Sequence, residues 1–366
     1  MRSPARRRAR GRARRRRTLA AADPTGAGGR ADHRAHRPTG PTVTDVIARA
    51  EEIADRLLFP AALATDRAEL LPVGNLDALA DAGLYGLFGP EDLGGWAADL
   101  DTAGAAVERI ASGCLTTALV WLQHHGLVGN LLLGAGRLRD EWLADLCSGA
   151  RRSGIVFTGL LPGPSSLNAV ADGDRWVIDG YAPWVSGWGR IDTLQVAARG
   201  PDDTVVTVAL GELDRPGLTA GRHELAVLDA SGTVKLTFDR VGIDADHVIG
   251  VAPHRPGDTN ALSLRLNGSL ALGVARRCCA LLGPTALDEQ LAEVRHRLDT
   301  AGDDDIAEAR ATASAFAHKA ATTLLVHTGS RSIELDNHAQ RLAREAMFLM
   351  VFGSRPAIRS ALLQMV

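Results

Sequence analysis

The sequence predicts a mainly helical α+β protein: an N-terminal helical domain, a small antiparallel β domain and a C-terminal helical bundle. Apolar residues recur at helical spacing in the first part of the chain. They give way to short β-branched segments bounded by Gly, Pro and Asp, and helical spacing then returns. We expect these parts at residues 43–153, 154–250 and 258–366, behind a head of residues 1–42. A chain of 366 residues is long enough for a sizeable core and more than one subdomain.

The head differs from the rest in composition. Residues 1–40 hold 13 of the 41 basic residues and two acidic ones, with few apolar side chains, so we expect disorder. A nucleic-acid-binding arm and a transit peptide are two interpretations, but the amphipathic pattern of a transit peptide is missing, as is the apolar stretch of a secretory signal. The chain is rich in Arg and Ala and has only two lysines, which favours a start codon assigned too early.

The body of the chain is acidic, with 28 basic against 41 acidic residues from residue 41 onward. This balance argues against nucleic acid as a partner. No apolar run reaches the length of about 18 residues that a membrane span needs. The cysteines show neither a CxxC motif nor a Cys/His metal spacing, so we expect a cytoplasmic protein with inert, reduced thiols and no metal. They are Cys114, Cys147, Cys278 and Cys279.

Five segments predict the N-terminal helices. They read TDVIARAEEIADRLLF, NLDALADAGLYGLFG, LDTAGAAVERIASG, LTTALVWLQHHGLVGNLLL and RDEWLADLCSG. The fourth is apolar nearly all round, which is typical of a buried helix. We expect its His124 and His125 to be packed or interfacial side chains and not metal ligands, because no metal-binding carboxylate lies near them in the sequence.

The β domain is predicted by GIVFTG, RWVIDGYAPWVSG, DTLQVAAR, TVVTVAL and TVKLTFDRV. In the last of these, polar residues alternate with apolar ones, which predicts one solvent-exposed face. The polar set is Thr233, Lys235, Thr237 and Asp239.

Helical spacing returns in five C-terminal segments, which predict the bundle. They read ALSLRLNGSLALGVARRCCALLG, LDEQLAEVRHRLDT, DIAEARATASAFAHKAATTLLVHTG, AQRLAREAMFLMVFG and PAIRSALLQM.

Four motifs, in order, carry a family resemblance: LYGLFGPEDLGG, WLADLCSG, WVSGWGRIDTLQVAAR and SGTVKLTFDRV. With the helix, β domain, helix layout they resemble the acyl-CoA dehydrogenase family of flavoproteins over residues 43–366. The resemblance implies a bound flavin, FAD or alternatively FMN. It also implies a small-molecule substrate such as an acyl-CoA. It also implies an electron acceptor or flavin reductase as partner, and a homo-oligomer.

The resemblance also implies a cofactor site. Trp184 would pack near the flavin ring and the hydroxyl of Ser186 would bond its edge, while Phe157 and Thr158 would form the other wall. A flat heterocycle needs an aromatic neighbour and short-range polar groups that tune its electronics, which these residue types supply. The alternative is that Trp184 is an ordinary sheet aromatic and Ser186 a turn former.

Two further contacts come from partly retained motifs. Thr328 and Gly329 are what remains, in HTGSRS, of a glycine-rich turn near the adenine end of FAD in the family. Ser165, in TGLLPGPSS, is the predicted substrate contact. The family's arginine motif for the FAD pyrophosphate has no counterpart, and the chain reads EVRHRLDTAGDDDIAEAR there.

The chain departs from the family at its catalytic base. Most members place a Glu where this chain has Phe352 and Gly353, and a minority place it on the first bundle helix, where this chain has Ser263, Leu264 and Arg265. Glu345 lies one turn before Phe352, but its REA context predicts a structural ion pair. The catalytic residue therefore stays unassigned.

Three functions are compatible with this pattern. The first is an FAD-dependent oxidoreductase of the acyl-CoA dehydrogenase type that acts on the CH–CH group of an acyl thioester. The second is a flavin-dependent monooxygenase on the same fold, which can dispense with the base. The third is a non-catalytic descendant that binds an acyl ligand, and the retained Trp184 and Ser186 argue against it.

Overall fold

The structure is a computed structural model that describes residues 43–134, 136–255, 261–353 and 355–365. Residues 1–42, for which we predict disorder, lie outside the described part of the chain, which begins at residue 43.

The N-terminal part is helical, as predicted. A π-helical turn at Ala54–Leu58 joins the first two helices, and Pro60 is tolerated there because it lies in the first turn of the second. The helices are α1 (Val43–Ile53), α2 (Phe59–Asp66), α3 (Val73–Asp81), α4 (Leu100–Gly113), α5 (Leu115–Leu133) and α6 (Arg137–Ser148).

One sheet forms the middle of the chain, with the strand order β6-β7-β3-β2-β4-β5-β8 and with β1 paired to β4. The strands are β1 (Ser153–Val156), β2 (Leu167–Asp172), β3 (Arg175–Val185), β4 (Thr193–Arg199), β5 (Thr204–Leu210), β6 (Leu218–Arg222), β7 (Val234–Asp244) and β8 (Val248–Pro253). The predicted antiparallel pattern holds for most neighbours, but β1 and β2 both pair with β4 in parallel.

Three strands were missing from the prediction: β2, β6 and β8. Each is short and mostly exposed, with at most two buried residues, so none shows the apolar alternation that marks a half-buried strand. β6 and β8 lie at the two ends of the sheet order, where a strand packs against one neighbour only.

The C-terminal helices also lie where the sequence predicts them. They are α7 (Ala261–Leu282), α8 (Ala286–Thr300), α9 (Ile306–Thr328), α10 (His338–Val351) and α11 (Pro356–Leu363). One apolar core joins α1, α4 and α5 to these helices, and a second core lies on one face of the sheet.

The two helical parts approach each other closely at Gly273 of α7. A Cβ there would lie 2.5 Å from the carbonyl oxygen of Glu108 and 2.6 Å from the Cβ of Ala111, both on α4. Glu108, 2% exposed, accepts two hydrogen bonds from Arg295 of α8, at 2.7 and 2.8 Å. The three helices therefore meet at one closely packed, charge-paired contact.

The alternation predicted along β7 is confirmed with one exception. Lys235, Thr237 and Asp239 are exposed, whereas Thr233 is buried, at 5% exposure. Thr233 precedes the first residue of β7, so the strand's two-residue period does not govern it.

The four cysteines are free and buried, as expected for inert thiols. Burial raises the pKa of Cys147 and of Cys279 to about 11, which keeps both protonated at neutral pH. Across the described ranges, no helix combines the length and the apolar character that crossing a membrane requires.

His124 and His125 are packed inside the protein, as expected, at 1% and 5% exposure. Nδ1 of His124 accepts a hydrogen bond from the backbone N–H of Ser153, at 3.2 Å, and so joins α5 to β1. Neither ring nitrogen of His125 has a partner among the described residues, and its ring contacts Trp121 and Phe88 edge-on. Burial lowers the pKa of His124 to about 3 and that of His125 well below 6.5, because the charged imidazolium is poorly solvated there.

The two buried histidines, His124 and His125, predict that the protein loses stability in mild acid. Both histidines take up protons more readily when unfolded, so their contribution is complete above the unfolded pKa of about 6.5 and declines as the pH falls below it. Below pH 6, the unfolding free energy of the wild type should fall as the pH falls. In His125→Phe this slope should be smaller, by up to about 1.4 kcal/mol per pH unit. Urea unfolding at several pH values above the carboxylate range measures this slope.

The matched control is His318→Phe, at an exposed position of α9, which should leave the slope as in the wild type. An unchanged slope in His125→Phe would mean that His125 is already protonated in the folded state.

Candidate functional site

Trp184 lies near the end of β3 with 65% of its side chain exposed. Ala182 pairs with Leu236 of β7, and Val185 pairs with Val234, so β3 advances three residues while β7 advances two. This β-bulge interrupts the alternation of faces. Ala182 and Val185 both point into the core, and Trp184, which strict alternation from Ala182 would bury, lies on the outer face.

One face of the Trp184 ring is covered by His223. Their ring centroids lie 4.6 Å apart with an angle of 24° between the planes, which is a stacked contact. Nε2 of His223 also lies 2.6 Å from the carbonyl oxygen of Pro183. Because a carbonyl can only accept, this nitrogen must carry the hydrogen.

A chain of three hydroxyl groups leads to Ser186. Its Oγ lies 2.8 Å from Oγ1 of Thr233, which lies 2.7 Å from Oγ of Ser231. Ser231 and Thr233 are buried, and Ser186 is half-buried. The hydroxyl of Ser186 is thus held by the buried hydroxyl of Thr233, while the Ser186 residue is partly exposed to solvent.

Phe157 and Thr158 follow β1 directly and are both half-buried. A Cβ at Gly126 of α5 would lie 3.8 Å from Cζ of Phe157 and 3.0 Å from Oε1 of Gln195, so this glycine lets α5 approach β1 and β4. Oε1 of Gln195 is buried and has no hydrogen-bond partner among the described residues. The placement of Phe157 and Thr158 as a flavin wall stays a prediction.

The other predicted contacts lie elsewhere in the fold. Ser165 donates a hydrogen bond to the carbonyl of Leu167 at 2.7 Å and accepts one from its N–H at 3.1 Å, so its hydroxyl braces the start of β2. Thr328 ends α9, and Gly329 follows it with φ +72°, a left-handed backbone that favours glycine. Their roles toward substrate and cofactor stay predictions.

The turn at Phe352 and Gly353 is held by a buried arginine. Arg310 of α9 donates to the carbonyls of Leu349, at 3.1 Å, and Phe352, at 2.7 Å. A Cβ at Gly353 would lie 3.6 Å from Nδ2 of Asn267, so the turn faces α7. The two positions at which family members carry the base thus lie at one end of the bundle.

Neither position carries a carboxylate. Arg265 is 5% exposed and pairs with Asp299 of α8, and more distantly with Asp101, at 3.8 Å. Glu345 is 2% exposed and pairs with Arg341 one turn earlier, which confirms the predicted structural ion pair. Burial raises the pKa of Glu345, and the arginine opposes that shift.

A possible metal site is neutralised by arginine. The ligand atoms of Asp244, Asp246 and His247 lie within 4.8 Å of one another. Asp244 pairs with Arg175 at 2.9 Å, and Asp246 pairs with Arg137. The carboxylates are therefore already compensated within the protein.

Residues 41–150 match the family described as acyl-CoA dehydrogenase, N-terminal domain. The human mitochondrial short-chain specific acyl-CoA dehydrogenase is 26% identical over 247 residues, which cover 65% of this chain and 59% of that protein. The benzylmalonyl-CoA dehydrogenase of Aromatoleum aromaticum is 30% identical over 250 residues, which cover 64% of each. Residues 41–150 thus match the N-terminal domain of the acyl-CoA dehydrogenase family, and the chain is similar to acyl-CoA dehydrogenases over about two thirds of its length. It spans less than two thirds of the length of these curated relatives.

Solved structures of acyl-CoA dehydrogenases share the fold along most of the chain. Butyryl-CoA dehydrogenase from Megasphaera elsdenii superposes with a TM-score of 0.75 and 18% identity, covering 88% of this chain and 96% of that one. A glutaryl-CoA dehydrogenase from Mycobacterium smegmatis in complex with FADH2 gives 0.72 and 19%, covering 88% and 94%. A dibenzothiophene monooxygenase from Paenibacillus gives 0.72 and 17%, covering 88% and 96%. The predicted mainly helical α+β fold of this family is therefore confirmed.

Sequence reasoning missed the partners of the two central residues. His223 carried no signal, because it contacts Trp184 only through the pairing of strands distant in sequence. Thr233 was assigned to the exposed face of its strand. The SxT spacing of Ser231 and Thr233, just before β7, was the one local hint.

The hydroxyl chain predicts a stability cost at Thr233. Thr233→Val should lower the unfolding free energy by about 1–3 kcal/mol, because the buried hydroxyl of Ser231 then lacks its partner. Thr233→Ser should recover most of the loss, since it keeps the hydroxyl. Urea denaturation measures both.

Thr237→Val is the matched control, on the exposed face of β7, and should change stability by less than about 0.5 kcal/mol. Equal effects of the two valine variants would show that the hydroxyl chain contributes nothing.

Proposed function

We propose that the protein is an FAD-dependent oxidoreductase of the acyl-CoA dehydrogenase type, which acts on the CH–CH group of an acyl thioester or a related small substrate. The observation that carries the proposal is Trp184. An indole that is 65% exposed and set outward by a β-bulge leaves a large flat apolar surface in water. An exposed indole face is a surface on which a flat aromatic ligand can pack.

The residues around Trp184 have the chemistry that a flavin ring needs. The indole supplies a flat apolar face, and the supported hydroxyl of Ser186, two residues later, supplies a short polar contact. Gly187 has φ +91°, and a Cβ there would lie 2.9 Å from Cγ2 of Ile191, so the turn after Ser186 requires glycine at this position. An isoalloxazine combines a flat face with a polar edge and would use both.

Each residue has a distinct part in this proposal. When bound, FAD supplies the two-electron redox chemistry that the polypeptide lacks. Trp184 would pack on the ring, and Ser186 would orient its polar edge. Phe157 and Thr158 would close the opposite side and limit access of water. Thr328 and Gly329 would lie toward the adenine end, and Ser165 toward the substrate.

The monooxygenase is the second candidate, and one observation favours it. Neither position that holds the base in the family carries a carboxylate: one has Phe352 and Gly353, and the other has Ser263, Leu264 and Arg265, of which Arg265 is already paired with Asp299. A monooxygenase that activates oxygen needs no base for an α-proton. In that case FMN and a flavin reductase would replace FAD and an electron acceptor.

The surroundings of the enzyme follow from the same reasoning. An acyl-CoA and an electron acceptor would be its partners, and a homo-oligomer formed through the bundle would be its assembly. The buried, unpaired cysteines favour a reducing compartment such as the cytoplasm.

Flavin binding tests the proposal directly. The full chain, titrated with FAD and with FMN, should quench flavin fluorescence and show a bound-flavin spectrum, with FAD preferred. Trp184→Ala should weaken FAD binding by about three- to tenfold, the value of one aromatic contact.

Tyr181→Ala is the matched control, because Tyr181 is an exposed aromatic residue of the same strand whose ring pairs with Lys235. Binding of neither flavin at micromolar concentration would refute the flavoprotein proposal. Equal losses of FAD affinity in both variants would show that Trp184 does not contact the flavin.

The two candidate reactions predict different behaviour under anaerobic conditions. A dehydrogenase should be bleached in its flavin absorption by a saturated acyl-CoA, because the substrate itself donates the electrons. A monooxygenase should keep its colour until an external reductase system is added. Spectra recorded over a series of acyl-CoA chain lengths distinguish them, and bleaching by none of these thioesters would favour the monooxygenase.

A further inference from the structure

We propose that His223 is a positioning residue of the flavin site, which holds Trp184 in the orientation that receives the ring. The inference rests on the proposed flavin binding and adds to it a residue that the family motifs do not mark. It also specifies the geometry, because His223 covers one face of the indole and leaves the other face for the ligand.

The strand pairing brings His223 and Trp184 together. Val234 of β7 pairs with Val185 of β3 on one side and with Arg222 of β6 on the other. His223 follows Arg222 and prolongs this pairing, since its N–H donates to the carbonyl of Thr233 at 3.1 Å. The histidine and the indole therefore meet across the start of β7.

His223 supplies a hydrogen-bond donor to a backbone carbonyl in the bulge of β3. A bulge leaves a residue out of the regular ladder, and its carbonyl then requires another donor. Nε2 of His223 donates to the carbonyl of Pro183, the residue that precedes Trp184, at 2.6 Å. Pro183 has no N–H, so its carbonyl is the one backbone group through which the protein can fix this point of the bulge.

The segment that carries His223 is itself anchored to the helices. Arg344 of α10 donates to the carbonyl of Ala226 at 3.2 Å, and Val227 and Leu228 belong to the core that the helices share. The N–H of Leu71 donates to the carbonyl of Ala230 at 2.6 Å. His223 is thus held by a fixed frame and can fix Trp184 in turn.

This arrangement prepares the indole for a ligand. An exposed Trp without a neighbour samples several rotamers, and binding would have to select one of them. The stack on His223 and the hydrogen bond to Pro183 select it in advance, so less conformational entropy is lost when the ring binds. The site then consists of three layers: imidazole, indole and flavin.

The test uses the full chain and two readouts, the Kd for FAD and the visible spectrum of bound FAD. His223→Ala should raise the Kd about tenfold, the combined value of a stacked pair and a hydrogen bond, and should shift the bound spectrum toward that of free flavin. His223→Phe keeps a ring without the donor, and His223→Gln keeps a donor without the ring. Each should recover part of the affinity and of the spectrum.

His247→Ala is the matched control, since His247 is another half-buried histidine that contacts an indole edge-on, that of Trp142 at 5.8 Å. It should leave the Kd and the spectrum as in the wild type. If the wild type binds FAD and the three His223 variants match it in both readouts, the positioning role is wrong and the flavin proposal stands. If the wild type binds neither flavin, both fail.

Discussion

The close crossing of α7 over α4 is the contact on which the rest of the fold depends. At Gly273 the two helices approach too closely for a side chain, and the buried carboxylate of Glu108 ties α8 to the same point. This crossing unites helices that are separated in the sequence by the whole sheet. The core that results also takes in Val227 and Leu228, so the segment before β7 is fixed by the helices as well as by the sheet.

The helices could be predicted because their apolar stripes survive in the sequence, whereas several strands could not. β2, β6 and β8 are mostly exposed, and an exposed strand leaves no alternation to detect. Thr233 shows a related limit, because a face assignment extends only as far as the strand itself. Thr233 is buried, and its hydroxyl hydrogen-bonds with those of Ser186 and Ser231.

The sequence nominates residues for the candidate site, which stay predictions, but it does not indicate how they are arranged. The motif around Trp184 and Ser186 pointed to a flat ligand, and the buried pair of Glu345 followed from its context. The bulge that turns Trp184 outward and the histidine that stacks on it both depend on register between strands distant in sequence. No local pattern encodes that register.

Buried charged side chains in the helical parts are paired within the protein. Glu108 of α4 and Glu345 of α10 are the buried carboxylates among the described residues, and each pairs with arginine. Arg310, whose pKa is lowered to about 10 by burial, donates to backbone carbonyls. The buried charges named here are therefore compensated by partners within the protein.

The exposure of Trp184 also has a spectroscopic consequence. The chain has six tryptophans, and Trp184 is the one whose side chain is largely in water, while Trp121 and Trp142 are buried and the rest are partly covered. Its emission should lie to the red of the others and respond first to a soluble collisional quencher. The protein thus carries an intrinsic optical reporter at the surface that we assign to the ligand.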